Sequence, residues 1–332
     1  MAKPHGPKRG SHGFSPRKRA KTPVPHIKSW PEVSEGPKIQ GFAGYKAGMT
    51  HVFMTDYRKK STTAGQEVMA AVTVVEVPPM KVAAFRLYSR EPYGLKSLGE
   101  VWTKKLDKDL AKRLPVPKKV KKPSEVLKKV NIDDVEDVRL IVHTQPKKVS
   151  GIPKKVPEIM EFRVSGGTMQ ERIEYARKLL GKEIDVSDFV EPGKMVDIIS
   201  ITKGKGWQSA VKRWGVKILS HKNSKKRRKA ANTGPKRPGY VKPTVPQAGQ
   251  TGYHHRTEYN KRILIIGDNP DDINPKGGFL HYGVVRNKYV IIHGSIPGPT
   301  KRLIKMRDVT RFRGEDVAPE ISYISRESKQ GV

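Results

Sequence analysis

The side chains best able to do chemistry in this chain are cations, and their spacing suits holding a polyanion. Between Asp197 and Glu258 there is no acidic residue, while Lys and Arg occupy fifteen positions. The centre of that stretch reads KNSKKRRKAANTGPKRPGYVKP, with Lys222, Lys225, Lys226, Arg227, Arg228, Lys229, Lys236, Arg237 and Lys242 as its cations. It has no amphipathic period, and Gly234, Pro235, Pro238, Gly239 and Pro243 break any helix or strand. Such a segment repels itself unless a polyanion lies beside it, and nucleic acid is the simplest partner. The run Lys225–Lys229 also fits a nuclear localisation signal. That reading does not explain why positive charge continues far beyond the run, with Gly, Pro and Asn interleaved. Ordering the loop costs ~1–2 kcal/mol per residue in backbone entropy. Counterion release and phosphate hydrogen bonds can offset this, and the loop's few apolar groups cannot. The sequence therefore predicts a loop that is disordered when free and ordered on RNA.

Aromatic residues stand among these charges. Trp207, Trp214, Tyr240 and Tyr253 have faces that could stack on splayed bases. For Trp207 and Trp214 the stronger expectation is packing at a barrel rim, where they would anchor the loop's entry. GQTGYHHRT, Gly249–Thr257, closes the loop. Its adjacent histidines have no carboxylate or third His at metal-ligand spacing, so hydrogen bonds to phosphate and ribose suit them better. DNPDDINPKGG, from Asp268, lacks the ligand alternation and terminal Glu of a calcium loop and reads as a solvated turn. GSIPGP, from Gly294, lacks the Gly-Lys-Ser/Thr of a phosphate-binding loop. There is no Ser elbow, HExxH or catalytic Cys, and the Asp/Glu pairs fall where a solvated helix face is expected.

These groups need elements to position them. Residues 1–36 hold eight Lys/Arg, are rich in Gly, Pro and Ser, and carry no secondary-structure signal. FAGYKAGMTHVFMTD, from Phe42, reads as a strand, a glycine turn and a second strand. MAAVTVVEVPP, from Met69, reads as a third. From Trp102 to about Glu191 the charge is nearly balanced, with fifteen of the thirty-two acids. Here Val138–His143 predicts a strand, and Pro123–Val130 the start of a helix. Thr168–Gly181 predicts a helix with Thr168 as N-cap, Glu171 three residues on and an apolar stripe of Met169, Ile173, Ala176 and Leu180. Together they suggest an α+β insertion with its own small core. Strands resume at Met195–Thr202 and Arg262–Ile266. The segment from Gly277 reads as a hairpin turning at Asn287-Lys288, and Leu303 opens the last strand. Seven to nine short antiparallel strands suggest a closed barrel, which leaves no exposed edge.

Composition narrows the class further. A formal charge of +35 over 332 residues calls for a polyanionic partner. No apolar run of ~18 residues, signal peptide or broad amphipathic basic helix points to a membrane. The chain has no Cys, so there is no disulfide framework or thiolate metal site, and an intracellular location fits.

Five motifs carry a resemblance. They are GYKAGMTHV (Gly44–Val52) after a basic tail, RWG (Arg213–Gly215), AGQTGYHHRTEYNKRI (Ala248–Ile263), GGFLHYG (Gly277–Gly283) and GSIPGPTKR (Gly294–Arg302). In this order the chain resembles the ribosomal protein L3 (uL3) family of the large subunit, in its archaeal/eukaryotic branch. The likeness is weakest over about 104–190. It implies a mainly β protein with an α+β insertion, built on a closed six-stranded translation-protein-type β-barrel with a basic N-terminal extension and a long basic central loop. The implied divisions are the extension at 1–38, the first part of the barrel at 39–103, the insertion at 104–191, a barrel strand at 192–215, the loop at 216–248 and the rest of the barrel with the C-terminal tail at 249–332. The resemblance also implies early binding to large-subunit (23S-type) rRNA, beside neighbouring large-subunit proteins, in the cytoplasm. The loop would reach toward the peptidyl-transferase centre and the accommodation path of aminoacyl-tRNA, with the tail alongside.

Residues expected at rRNA are Lys8, Arg9, Arg17, Lys18, Arg19 and Lys21 in the tail, and Lys212 and Arg213 at the loop's entry. The loop cations named above and Gln250, His254, His255 and Arg256 at its exit complete the set. Many relatives place a Trp after Gly-Pro at the loop tip. Here the tip is Pro235, Lys236 and Arg237, so an ionic contact is expected in place of stacking. The expectation is a structural rRNA-binding protein with no cofactor, metal, small-molecule substrate or membrane. The rival is an RNA-modifying or RNA-processing enzyme, which would need convergent titratable groups in a concave site. A DNA-compacting protein fits less well, because the longest basic segment is an internal loop.

Overall fold

A computed structural model describes residues 10–33, 36–117, 120–224, 226–230, 232–237, 239–328 and 330. Its first elements are β1 (Lys38–Ile39), β2 (Gly41–Thr55), β3 (Glu67–Glu76), β4 (Met80–Glu91) and β5 (Gly94–Trp102). There follow α1 (Pro123–Leu127), β6 (Asp137–His143), β7 (Ile159–Ser165), α2 (Met169–Leu179), β8 (Glu183–Ile184) and β9 (Met195–Ile201). The chain ends with β10 (Trp207–Gln208), α3 (Ala210–Trp214), β11 (Gly249–Gln250), β12 (His255–Gly267), β13 (Tyr289–His293), β14 (Leu303–Asp308) and β15 (Ile321–Ile324). Two compact units emerge. One is Met1–Pro23 with Ile201–Arg256; the other is Val24–Ser200 with Thr257–Val332.

The larger unit holds two sheets. In one, neighbours run β14-β9-β12-β13-β3-β2-β15, and β14 pairs a second time, with β2. Six strands therefore each have two hydrogen-bonded neighbours, and β15 is an outrigger on β2. The other sheet runs β1-β7-β6-β4-β5, with β8 on β4. The strands from Met80 to Trp102, expected in the first part of the barrel, pair into this second sheet instead, because β4 takes β6 as its antiparallel partner. The helix expected at Thr168–Gly181 is present as α2. Thr168 accepts from the Glu171 amide, and the Glu171 carboxylate accepts from the Thr168 amide, so two orphan donors of the first turn are satisfied.

Three further expectations are corrected. The segment from Phe42 is one fifteen-residue strand, not two around a turn. Its glycines serve close approach: a Cβ on Gly44 would lie 2.7 Å from the Glu76 carbonyl, and one on Gly48 2.5 Å from the Phe279 ring. The segment from Gly277 is not a hairpin; only Tyr289–His293 is strand. The preceding residues wrap the buried Glu76 carboxylate, which accepts from the Tyr282 hydroxyl at 2.6 Å, the Asn287 side chain at 2.6 Å and the amides of Arg286 and Asn287. The Asn274 side chain clamps both backbone groups of Val285 at 2.9 Å. Four hydrogen bonds to one buried anion outweigh the strand preference of YGVV. Leu303 does not open the last strand, since β15 follows. The Asp268 segment is the expected turn, with Asn269 capping Pro270–Asp272.

β14 is buried along its whole length. Arg307 lies against Asp197 of β9 at 3.0 Å, both almost fully buried. Asp197 also accepts from the amide and hydroxyl of Thr310 and the amide of Asn260. The remaining guanidinium nitrogen reaches the carbonyl and hydroxyl of Ser29. One carboxylate thus ties β9, β12, β14 and the N-terminal segment together. Lys305, two residues before Arg307, sits 5.7 Å from the centre of the Phe162 ring. Burial lowers its pKa from 10.5 to about 8, against the opposing pull of Glu158 and Glu161.

Two predictions follow from β14. Asp197→Ala leaves a buried guanidinium unpaired and should destabilise the free protein by ~3–5 kcal/mol in urea titrations; a loss below ~1 kcal/mol would remove Asp197 as the tie. For Lys305, the folded pKa lies below the unfolded one. Between pH 8 and 10.5 the unfolded chain therefore binds more protons, and this group makes stability rise with pH in that window. The wild-type minus Lys305→Met difference in unfolding free energy should climb by up to ~1.4 kcal/mol per pH unit there. A difference independent of pH would show that Lys305 stays charged when folded.

Candidate nucleic-acid interface

The smaller unit carries seven Lys/Arg in Met1–Pro23 and fifteen in Ile201–Arg256, with no Asp or Glu in either segment. Its organisation starts at the neck of the basic loop. α3 stops at Gly215, whose φ of 68° is the left-handed C-cap that glycine adopts without strain. β10 and β11 then pair antiparallel, Trp207 opposite Gln250 and Gln208 opposite Gly249. Arg213 bridges the two ends, with Nε on the Gln250 carbonyl at 3.0 Å and Nη1 on that of Gln247 at 3.1 Å. The Trp214 indole N–H donates to the same Gln247 carbonyl at 2.9 Å. Gly249 is required here, since a Cβ would meet the Arg213 guanidinium at 2.9 Å.

The N-terminal segment is knitted into this neck. Arg17 stacks 3.8 Å over the Trp214 ring and donates through Nη1 to the Arg213 carbonyl at 2.5 Å. Arg213 returns a bond to the Arg17 carbonyl at 3.2 Å. The Ala20 amide donates to the Tyr253 carbonyl at 2.8 Å, with Arg19 above the Tyr253 ring. His254 is buried, and its Nδ1 lies 2.9 Å from the Lys18 carbonyl, so Nδ1 is the protonated nitrogen. Arg256 lies over the Phe14 ring at 5.0 Å. Carbonyls and aromatic faces, not carboxylates, hold these cations. Burial lowers the pKa of Arg213 and Arg256, and the Arg17 charge lowers both further. Burial also lowers that of His254, against the pull of the Lys18 carbonyl.

Of the residues expected at RNA, Arg17, Arg19, Arg213, Gln250, His254 and Arg256 come together at the neck. Gln250 turns its amide to the carbonyl of Gly252 at 3.1 Å, and His254 faces the tail, so both hold the neck's shape. Lys18, Lys21, Lys212, Lys222, Lys226, Arg227, Arg228, Lys229, Lys236, Arg237 and Lys242 are exposed. No helix or strand lies between α3 and β11 among the described residues. Lys8, Arg9 and Lys225 lie outside the described residues. Trp214 anchors the entry as expected. Trp207 does not pack at a rim: it is 76% exposed. Lys203 and Lys205, two of the fifteen cations but not among the residues expected at rRNA, are exposed beside Trp207; their alternation with Gly204 and Gly206 is the sequence signal for them.

The other candidates do not form sites. The turn from Gly294 directs the carbonyls of Ile296 and Gly298 at the Lys46 ammonium, 2.7 and 3.0 Å away, the reverse of a phosphate nest. Among the described residues no cluster of His, Asp or Glu suits a metal ion, and no helix is long and apolar enough to cross a membrane.

Comparison with known proteins gives the family. A family model described as ribosomal protein L3 matches residues 1–331. Among curated proteins, the large ribosomal subunit protein uL3 of Picrophilus torridus is 53% identical over 334 residues, covering all of both chains. Its counterpart in Archaeoglobus fulgidus is 52% identical and covers 98% of this chain and 99% of its own. That of Thermoplasma acidophilum is 52% identical over the full length of both. The chain belongs to the ribosomal protein L3 family.

Proposed function

We propose that this chain is a structural constituent of the large ribosomal subunit and binds large-subunit rRNA directly through its smaller unit. The observation that carries the reading is the neck: Arg17, Arg213 and Arg256 are packed together with no carboxylate in their unit. Like charges brought this close are stabilised when phosphates supply the counter-charge. Exposed Trp207 and Tyr240 add faces on which unstacked bases can lie. The family is one of ribosomal proteins, so the role is structural and not enzymatic, with residence in the cytoplasmic ribosome.

The finer reading adds place and time. The loop at 216–248 extends as a finger with Pro235, Lys236 and Arg237 at its tip, toward the peptidyl-transferase centre and the accommodation path of aminoacyl-tRNA. The tail at 1–38 threads alongside, and binding occurs early in assembly. The ring of pairings β14-β9-β12-β13-β3-β2 supports a closed six-stranded barrel as the platform. The sheet built on β4, β6 and β7 supports an α+β domain inserted into it. Neighbouring large-subunit proteins complete the surroundings.

Two experiments test this reading. Affinity for a large-subunit rRNA fragment should fall ~10³–10⁵-fold between 50 and 200 mM salt if ~6–10 phosphates are neutralised; a flat response would remove charge as the main contributor. At the tip, Lys236→Ala should leave thermal stability unchanged, because the side chain is exposed. It should change the rate of aminoacyl-tRNA accommodation in reconstituted subunits, and Lys236→Trp should be tolerated. Equal rates for all three proteins, with assembly intact, would reduce the finger to an assembly strut.

A further inference from the structure

The smaller unit holds five Phe, Trp and Tyr rings: Phe14, Trp207, Trp214, Tyr240 and Tyr253. Three already carry a guanidinium on a face: Phe14 from Arg256, Trp214 from Arg17 and Tyr253 from Arg19. Trp207 carries none among the described residues, and its ring is exposed. Tyr240 is exposed too, but it lies in the loop without helix or strand. Fixing it on a ligand would cost backbone entropy.

Trp207 stands on a frame that is already fixed. The Thr202 amide donates to the His254 carbonyl, the Lys205 amide to the Thr251 carbonyl and the Thr251 amide to the Gly206 carbonyl, each at 2.9 Å. Trp207 then pairs with Gln250, and the Gln208 side-chain amide closes the turn on the Lys205 carbonyl at 2.7 Å. Gly252, at a φ of 70°, permits the crossing, since a Cβ there would run into the Lys203 carbonyl. A Cβ on Gly206 would meet open space, so the chain leaves room beside the indole. Lys203 and Lys205 are exposed in the same turn, and the unit has no carboxylate to pair with them. A stacking face held in place in this way needs little ordering when a ligand arrives.

We propose that Trp207 makes this surface selective for an unpaired nucleotide. Its ring takes the face of one base outside the helical stack, and the Lys203 and Lys205 ammoniums take phosphates beside it. The occupant follows from the pattern KGKGW, cations beside one flat aromatic plane. A nucleic acid offers the complement, a phosphate and an aromatic plane in every unit. A basic protein would be repelled by a unit of many cations and no acid. An acidic protein would match the lysines but carries no aromatic plane at each charge. Within RNA, a duplex covers its base faces with neighbouring bases, whereas an unpaired nucleotide can be splayed out onto a ring. Phosphate contacts treat paired and unpaired RNA alike, and a bare ring does not. The inference rests on the reading that the smaller unit binds rRNA, and it adds which state of the RNA this part selects.

The test uses the full chain and two synthetic RNA duplexes, alike except that one has a single bulged 5-iodouridine. Trp207→Ala should keep the Tm, since the side chain supports no core. It should weaken binding to the bulged duplex by about 5–150-fold, the loss of one stacked base, and leave the paired duplex unaffected. Trp207→Phe should restore most of the difference. Lys203→Gln with Lys205→Gln should weaken both duplexes alike and lower the salt slope by about two, one per phosphate contact. Ultraviolet light should cross-link the bulged 5-iodouridine to Trp207. In assembled large subunits, benzoylphenylalanine in place of Trp207 should cross-link to rRNA. Equal loss on both duplexes, no loss on either, or a cross-link from position 207 to a protein overturns the selectivity and leaves the rRNA reading standing. Wild-type protein that binds neither duplex overturns both.

Discussion

The smaller unit is built under one constraint: it must hold many cations close together without a single carboxylate of its own. It does so with acceptors that carry no net charge. The Arg17 and Arg213 side chains exchange bonds with each other's backbone carbonyls, and Gln247 and Gln250 offer theirs to Arg213. Trp214, Tyr253 and Phe14 offer ring faces. Hydrogen bonds from charged donors are stronger than neutral ones, and cation–π contacts gain when partly desolvated. Neither neutralises the charge. The field therefore stays directed outward, where a polyanion can use it, while the geometry is already fixed. An internal carboxylate would hold the same arginines equally well and cancel the attraction that makes them useful.

The larger unit treats charge in the opposite way. Asp197 and Glu76 are buried completely, and each collects hydrogen bonds from segments distant in sequence. Arg307 is neutralised where it stands. Buried carboxylates thus serve as joints in one unit and are absent from the other. This division lets a strongly basic chain fold around an ordinary apolar core of β-branched and aromatic residues.

How much of this was legible in the sequence depends on the range of the signal. The helix α2 was readable because Thr168 and Glu171 satisfy each other's backbone groups within one turn. The strand β3 was readable because MAAVTVV has few other ways to be buried. The continuity of β2 through Gly44 and Gly48 was not, since those glycines answer to Glu76 and Phe279, far along the chain. The loop from Gly277 misled for the same reason: its shape is set by a carboxylate about two hundred residues earlier. At the interface, the cations and the lack of acids were plain. Which aromatic would be buried was not. Trp214 is covered by Arg17 of the N-terminal segment and donates to the Gln247 carbonyl across the neck, contacts that no local pattern announces.

The second partner of β14 has a consequence for synthesis on the ribosome. Leu303–Arg307 covers the edge of β2 at Gly41–Tyr45, yet emerges some two hundred and fifty residues after it. At ~5–20 residues per second that is a delay of ~12–50 seconds. Through that interval the growing chain displays an unpaired strand edge, joined from Lys222 onward by the cations of the basic loop. The finished ring conceals the edge, so the period of greatest exposure to aggregation and to stray polyanions belongs to the nascent chain and ends only when the last tenth of the protein has been made.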